Sequence, residues 1–469
     1  MTAYYIAEPL TILYNKSLNQ GYFPTLLKYA KIVPIHKKGE RSDMNNYRPV
    51  AIIPAFAKVF ERLLNDDLIK YFENNNYFSD SQFGFPKTRS TIDAVTSLIG
   101  GCLCELEGGN LTHCKCYDLS RAFDTVSHDI LVEKLRFYGF SCKAYDLVKS
   151  YLSERSQYVS YDGNYSKFNS VKYGVPQGSV LGPTLFIIYV NDLPFNIESD
   201  HTKPYLFADD LAIGVAAESR IELHNGLDIS DNIIKDWCSA NYLCTNDDKV
   251  VDLQFCLDRR DPDFQKSVKF LGINLEVGLG WASHTESIAK KIATGIFILR
   301  RLKSIVDLDV LLSVYYAYIH SHISYGIALW GNHYTSIRIF KLQKKAIRII
   351  CGSDVQAHCR PLFVKLNVIS LPSLYVYNCI LYVKKNMNKF LSHHDVHNYN
   401  TRNCSDIVPE FCRFSTTQKN LQNMSVNFYN RLPKSVRDME YKKFKVHMKK
   451  ELIASCLYSV QDYFRTIFC

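Results

Sequence analysis

No apolar run in this chain approaches the ~18 residues that suggest a membrane-spanning helix, so no span is expected. No tract is low in complexity and no segment repeats itself, which leaves neither a biased tail nor a solenoid to explain. Acids are in deficit: 46 Asp and Glu stand against 56 Lys and Arg, a net charge of +10. That balance favours a polyanionic partner such as nucleic acid. No secretory signal precedes the 15 cysteines, so reduced thiols are expected rather than a disulfide scaffold. What is present is a globular composition, 47% apolar over 469 residues. A chain of that length is too long for one core and should form roughly two to four lobes.

The most informative segment is Tyr205-Leu206-Phe207-Ala208-Asp209-Asp210-Leu211. Its apolar part suits a buried strand, where an unpaired carboxylate costs on the order of several kcal/mol. Two adjacent carboxylates also repel each other. A divalent cation removes both penalties, and Mg²⁺ is commonly held by one or two carboxylates plus substrate phosphates. An Asp-Asp pair alone is also an ordinary β-turn, so the neighbours decide.

Upstream, Cys114-Lys115-Cys116-Tyr117-Asp118-Leu119-Ser120-Arg121-Ala122-Phe123-Asp124 reads as a strand that ends in Asp118 and opens into a helix. Three acids from two segments suit a pair of ions about 4 Å apart that clamp the attacking and leaving oxygens of an in-line displacement. Between the two segments, Tyr173-Gly174-Val175-Pro176-Gln177-Gly178-Ser179 is a loop whose backbone can approach a substrate. The run Thr184 to Val190 after it can be a buried helix. Asp124, six residues past Asp118, is expected to have a structural role such as capping. Cys102-x-Cys104, His113 and Cys114-x-Cys116 have the look of a zinc cluster, but Cys114 and Cys116 flank the strand that presents Asp118.

In this order and spacing the blocks resemble the palm motifs of reverse transcriptases, in the flavour of jockey-like non-LTR retrotransposons. Ala30 to Gly39, Asn46-Tyr47-Arg48-Pro49-Val50, Gln82-Phe83-Gly84-Phe85, Asn241-Tyr242-Leu243 with Lys249, and Val268 to Ile273 extend the resemblance over almost the whole chain, weakest past about residue 390. It implies an α+β right-hand polymerase. Fingers with an N-terminal extension would span 1–111, and a palm of antiparallel sheet backed by helices, with an interleaved fingers segment, 112–280. A helical thumb would span 281–355 and a basic, mostly helical C-terminal region 356–469. The implied activity is RNA-directed DNA polymerisation with two Mg²⁺, an RNA template, a DNA primer and dNTPs. A degenerate copy that binds nucleic acid without polymerising is the alternative, against which the intact acids argue.

The same resemblance implies the site. Asp118, Asp209 and Asp210 would hold the metals. Lys37 or Lys38 and Arg48 would grip the triphosphate, by point charge and by bidentate fork. Phe123 would exclude a ribose 2′-hydroxyl, Gln177 would line the incoming nucleotide, and Lys249 would protonate pyrophosphate. Two departures stand out: Val250 follows Lys249 where threonine is usual, and Pro86 replaces a usual arginine while Lys87 and Arg89 remain. An endonuclease and an RNase H are not evident, so the chain is expected either to be a fragment of a larger element product or to rely on a separate activity for nicking. The place of action would be intracellular, in nucleus or cytoplasm, as a ribonucleoprotein.

Patterning gives the elements. A helix is expected over Ala7 to Gln20, ending at Gly21, and a strand over Tyr29 to Pro34 before a Lys37-Lys38-Gly39-Glu40 tip. Ala57 to Asn74 should be a helix with Val59, Leu63, Leu64, Leu68, Ile69 and Phe72 on its apolar face. Another helix should begin at Ser90-Thr91. Between 285 and 350 ten Lys and Arg face three Asp and Glu. One cluster is Lys290, Lys291, Arg300, Arg301 and Lys303. The other is Arg338, Lys341, Lys344, Lys345 and Arg348, and the spacing 341, 344, 345, 348 puts four cations on one helix face. A duplex backbone would relieve their repulsion, and four phosphate contacts at ~0.9 each would set about 3 to 4 units of salt slope. A last basic helix is expected near Tyr441 to Ser455.

Overall fold

The computed structural model describes residues 2–84, 89–258, 266–396 and 405–466; Pro86 and Lys87 lie outside them. Internal packing divides the chain into a unit of 1–94 with 113–252 and a unit of 95–112 with 253–469. Residues 113–252 of the expected palm and most of the expected fingers fall in the first; residues 253–280 of the expected palm, the expected thumb and the C-terminal region fall in the second. Among the described residues no helix is long and apolar enough to cross a membrane.

In chain order the strands are β1 (Tyr29–His36), β2 (Tyr47–Ile52), β3 (Leu111–Asp118), β4 (Arg155–Tyr161), β5 (Asn164–Tyr165), β6 (Asn169–Val171), β7 (Thr202–Phe207) and β8 (Asp210–Ala217). After them come β9 (Val251–Phe255), β10 (Ser267–Phe270) and β11 (Ile273–Glu276). One sheet of the first unit has the order β2-β1-β4-β5, with β6 also on β4. β1 and β2 are antiparallel in the register Ile35↔Arg48 and His36↔Tyr47, so the Lys37 to Asn46 tip joins them. β4 runs parallel to β1. In the second sheet β8 lies between β7 and β3.

Helices back these sheets. Thr2–Gln20 stops before Gly21 as expected. Gly182–Val190 is buried from Thr184 to Val190, which suits a run with no polar group but a threonine hydroxyl and a tyrosine. Ala55–Asn74 forms as expected, yet with a different face inward: Ala57, Phe60, Glu61, Asn65, Leu68, Ile69 and Phe72 are buried. Val59 and Leu63 are exposed, so the predicted apolar face is corrected at those two positions. The reason is that Glu61 and Asn65 find buried partners. The Asn65 amide oxygen accepts from the Thr184 hydroxyl.

The second unit is mainly helical. Its longer helices are Ala282–Leu302, Ser336–Cys351, Leu371–Lys385 and Tyr441–Ser455, and the last has the bounds the sequence indicates. A buried amide organises it: Gln343 donates to the Tyr315 hydroxyl (2.9 Å) and the Ile369 carbonyl (3.0 Å), and accepts from Leu371 N–H (2.9 Å). Both amide hydrogens and the amide oxygen of that side chain thus have fixed partners. The helix Thr91–Gly108 contributes its residues from Val95 onward, and the Glu107 carboxylate accepts the N–H groups of Arg413 and Phe414, both at 2.9 Å.

Candidate active site

Asp118 ends β3, and the chain past it is clamped to a second segment. Ser120 N–H donates to the Cys244 carbonyl (2.8 Å) and Asn246 N–H to the Asp118 carbonyl (2.9 Å). The short turn Asp247–Lys249 that follows brings Lys249 back, its Nζ 2.7 Å from Asp118 Oδ2.

Asp209 and Asp210 come from the β7–β8 hairpin. Phe207 pairs with Asp210, so Ala208 and Asp209 are the two turn residues and Asp210 is the first residue of β8. Ala208 has φ +58° and Asp209 is not in the left-handed region. Positive φ at the first central residue alone is the pattern of a type II′ turn, where glycine is usual. An alanine there is strained by roughly 1–2 kcal/mol.

The three acids feel one another. Asp210 is pushed up to about 6, first by the protein crowded round it, then by the charges of Asp209 and Asp118. Burial also raises Asp209; its own backbone N–H offsets part of that, Asp118 adds to it, and Arg48 and Lys37 pull it back. Of the two candidate lysines, Lys37 is therefore the one whose charge reaches the acids. Lys38 is exposed at the hairpin tip. Among the described residues no three metal-ligating side chains close into a ready cluster. Mutual repulsion among oxygen donors is what a hard cation relieves, so the donor set suits one.

The Gly174 to Ser179 loop is pinned on both sides. Gly174 N–H donates to Val126 O and Val175 N–H to Phe123 O, both at 2.8 Å. On the other side Ala51 N–H, at the end of β2, donates to the Gln177 carbonyl (2.7 Å). Gly174 has φ +84° and a Cβ there would sit 2.7 Å from Asp124 O; Gly178 has φ +119° and a Cβ would sit 2.6 Å from Ala51 O. Neither position tolerates a side chain. The Gln177 amide donates to Asp124 Oδ1 at 2.7 Å, so Asp124 orients Gln177 and is not a cap. Phe123 is half-buried and stacks on Phe186, ring centroids 4.4 Å apart.

Sequence reasoning missed Glu61. Its buried carboxylate accepts Val180 N–H (2.7 Å) and the Tyr151 hydroxyl (3.0 Å), steadying the loop just past Gly178. Burial raises its pKa, and the N–H and hydroxyl donors with the Arg155 charge counter that. A glutamate at helical spacing from Ala57 and Leu68 was the available signal.

With this geometry in hand, the family model of the reverse transcriptase (RNA-dependent DNA polymerase) matches residues 35–275, from β1 to β11. The chain belongs to the reverse transcriptase family. Among curated reverse transcriptase relatives, the RNA-directed DNA polymerase from mobile element jockey of Drosophila melanogaster is 28% identical over 385 residues, covering 77% of this chain and 42% of that protein. The probable RNA-directed DNA polymerase from transposon BS of the same organism is 30% identical over 367 residues, covering 73% and 40%. That from transposon X-element is 27% identical over 363 residues, covering 74% and 40%. The chain thus spans about two fifths of the length of these relatives. Divalent-metal dependence is general to the family.

The basic helix Ser336–Cys351 belongs to the second unit. Lys341, Lys345 and Arg338 are exposed, but Lys344 and Arg348 are not free cations. Lys344 lies over the rings of Phe340 (4.8 Å) and Tyr458 (5.2 Å), and Arg348 Nε donates to the Ala357 carbonyl at 2.8 Å. Of the four cations expected on one face, Lys341 and Lys345 are exposed, with Arg338 a turn before, while Lys344 and Arg348 are part-buried against neighbours of their own chain.

Proposed function

We propose that this chain is an RNA-templated DNA polymerase of the kind that copies a non-LTR retrotransposon, acting on an RNA template, a DNA primer and dNTPs. The observation that carries it is the mutual charge effect of Asp118 at the end of β3, Asp209 in the β7–β8 turn and Asp210 at the start of β8, with Lys37 and Arg48 near enough to be felt by Asp209. Asp118, Asp209 and Asp210 would hold two Mg²⁺. Bound there, the ions would lower the pKa of the primer 3′-hydroxyl and neutralise the leaving pyrophosphate.

The side chains divide the remaining work. Lys37 and Arg48 bind the triphosphate oxygens of the incoming nucleotide, and Lys38 at the exposed tip is left to the solvent or the template. Gln177, fixed by Asp124, presents its face to the nucleotide. The Phe123 ring, backed by Phe186, leaves no room for a 2′-oxygen. Lys249, already an ion-pair partner of Asp118, is the acid within reach of the leaving group. On this reading β1, β2, β4 and β6 are fingers strands and the second sheet is the palm. The helices of 281–355 are the thumb, nicking comes from a separate endonuclease activity, and the enzyme works inside the cell within a ribonucleoprotein.

Primer extension on RNA and DNA templates with Mg²⁺ tests the reading. Asp118→Ala and Asp209→Asn should each abolish extension while duplex binding and folding persist, since each removes a metal ligand and not a core contact. Retention of more than about a few per cent of wild-type extension by either variant would overturn it, the residual expected without a metal ligand being far lower. Wild-type protein that binds duplex but never extends would instead favour a chain that only binds nucleic acid.

A further inference from the structure

We propose that Gln82 is a positioning residue that holds the Ala208-Asp209-Asp210 turn in its working conformation. The inference rests on the polymerase reading above and adds a residue to it. Gln82 is fully buried. Its Oε1 accepts from Gly84 N–H (2.8 Å) and from Ala208 N–H (3.3 Å). Among the described residues its Nε2 is buried without a hydrogen-bond partner, so the acceptor end is what a glutamine supplies here that an apolar residue could not. The Ala208 N–H that it takes up belongs to the strained residue directly before Asp209.

The segment carrying Gln82 is built to deliver it. Leu206 N–H donates to Ser81 O (2.8 Å) and Phe83 N–H to Leu206 O (2.7 Å), a parallel bridge onto β7 one turn before the acids. Arg89 fastens the loop from outside: Nη1 donates to the carbonyls of Ser79 (2.8 Å), Asp80 (3.0 Å) and Gln82 (2.7 Å), and Nη2 to Asp80 Oδ1 (2.6 Å). Asn191 Oδ1 accepts Ser79 N–H at 3.0 Å. At Gly84 a Cβ would sit 2.7 Å from Ala208 N, so the loop passes against the turn with no space to spare. A left-handed alanine persists only where its surroundings over-determine it, and these contacts do so.

The test is steady-state extension by the full chain, with dNTP, primer-template and Mg²⁺ titrated separately. Gln82→Met keeps volume but removes the acceptor. We expect kcat to fall by about a hundredfold, the order set by a ~1 Å misplacement. KM for dNTP and primer-template affinity should stay within about threefold, the sign of an interaction used at the chemical step, and half-saturating Mg²⁺ should rise. Ala208→Gly added to Gln82→Met should recover part of kcat, because glycine adopts that φ without help. Should Gln82→Met fail to fold, Gly84→Ala pushes the same turn from the same side and should give the same kcat-selective loss. A kcat near wild type in the variant that folds, a parallel loss of affinity, or no recovery through Ala208→Gly would overturn the inference. Wild-type protein that does not extend primers overturns the polymerase reading and this inference with it.

Discussion

Asp210 stands in a conflict between folding and use. To hold a cation it must be charged, yet the folded chain prefers it protonated, with a pKa of about 6 against the usual 3.8. Below 3.8 the proton is bound in both states and the group contributes nothing. As pH rises from there towards 6 the unfolded chain releases the proton first, so stability falls with pH and the full penalty is present above about 6. In metal-free buffer Asp210→Asn should therefore raise the unfolding temperature at pH above 7. That advantage should shrink to nothing as pH approaches 4, and saturating Mg²⁺ should close it from the other side. Thermal unfolding of both proteins across pH, with and without chelator, checks this; a gap independent of pH would show that Asp210 is not the strained group. The placement of Asp118 at the end of a strand and of Asp209 and Asp210 at a strand tip was legible in the sequence because each closes an apolar run. The long-range partners around them were not. Gln177 meets Asp124 across 53 residues, Glu61 meets Val180 across 119, and Gln82 meets Ala208 across 126. A side-chain amide or a helix glutamate carries no local mark of a partner so far along the chain.

At the scale of single elements, periodicity revealed which segments are helices but not always which face turns inward. In Ala55–Asn74 two polar residues took inward positions because hydrogen-bond partners awaited them, and Val59 and Leu63 were left outside. In Ser336–Cys351 the charges were visible but their company was not, since Tyr458 and the Ala357 carbonyl come from later in the chain. The correction changes a measurable number. Lys341→Gln with Lys345→Gln should flatten the slope of log affinity against log salt by about 2 units, at ~0.9 per phosphate on a DNA-like duplex. Lys344→Gln with Arg348→Gln should lower the unfolding temperature and leave the slope nearly unchanged. Equal slope losses from the two pairs would mean that Lys344 and Arg348 also face phosphates.

The molecule as a whole is assembled from pieces that are not consecutive. Residues 95–112 belong with 253–469, while 113–252, which lie between them, belong with the N-terminal residues. Val95, Leu98, Cys102 and Leu103 are buried, and Glu107 is anchored by Arg413 and Phe414. A fragment ending at Asp252 would keep every residue of the proposed catalytic site and yet expose that apolar helix face. It should bind a hydrophobic dye and aggregate by sedimentation, and a fragment that stays monodisperse and dark would show that the helix needs no partner.

The same discontinuity has a consequence on the ribosome. At roughly 5–20 residues per second, the stretch 113–252 alone takes on the order of 7–28 s to synthesise. For that interval the apolar helix has been made and the residues 253–469 with which it is grouped have not. Slow elongation, which helps many nascent domains, would lengthen this exposure, so the yield of folded protein should improve with faster translation of the middle of the message or with a holding chaperone bound near residue 100.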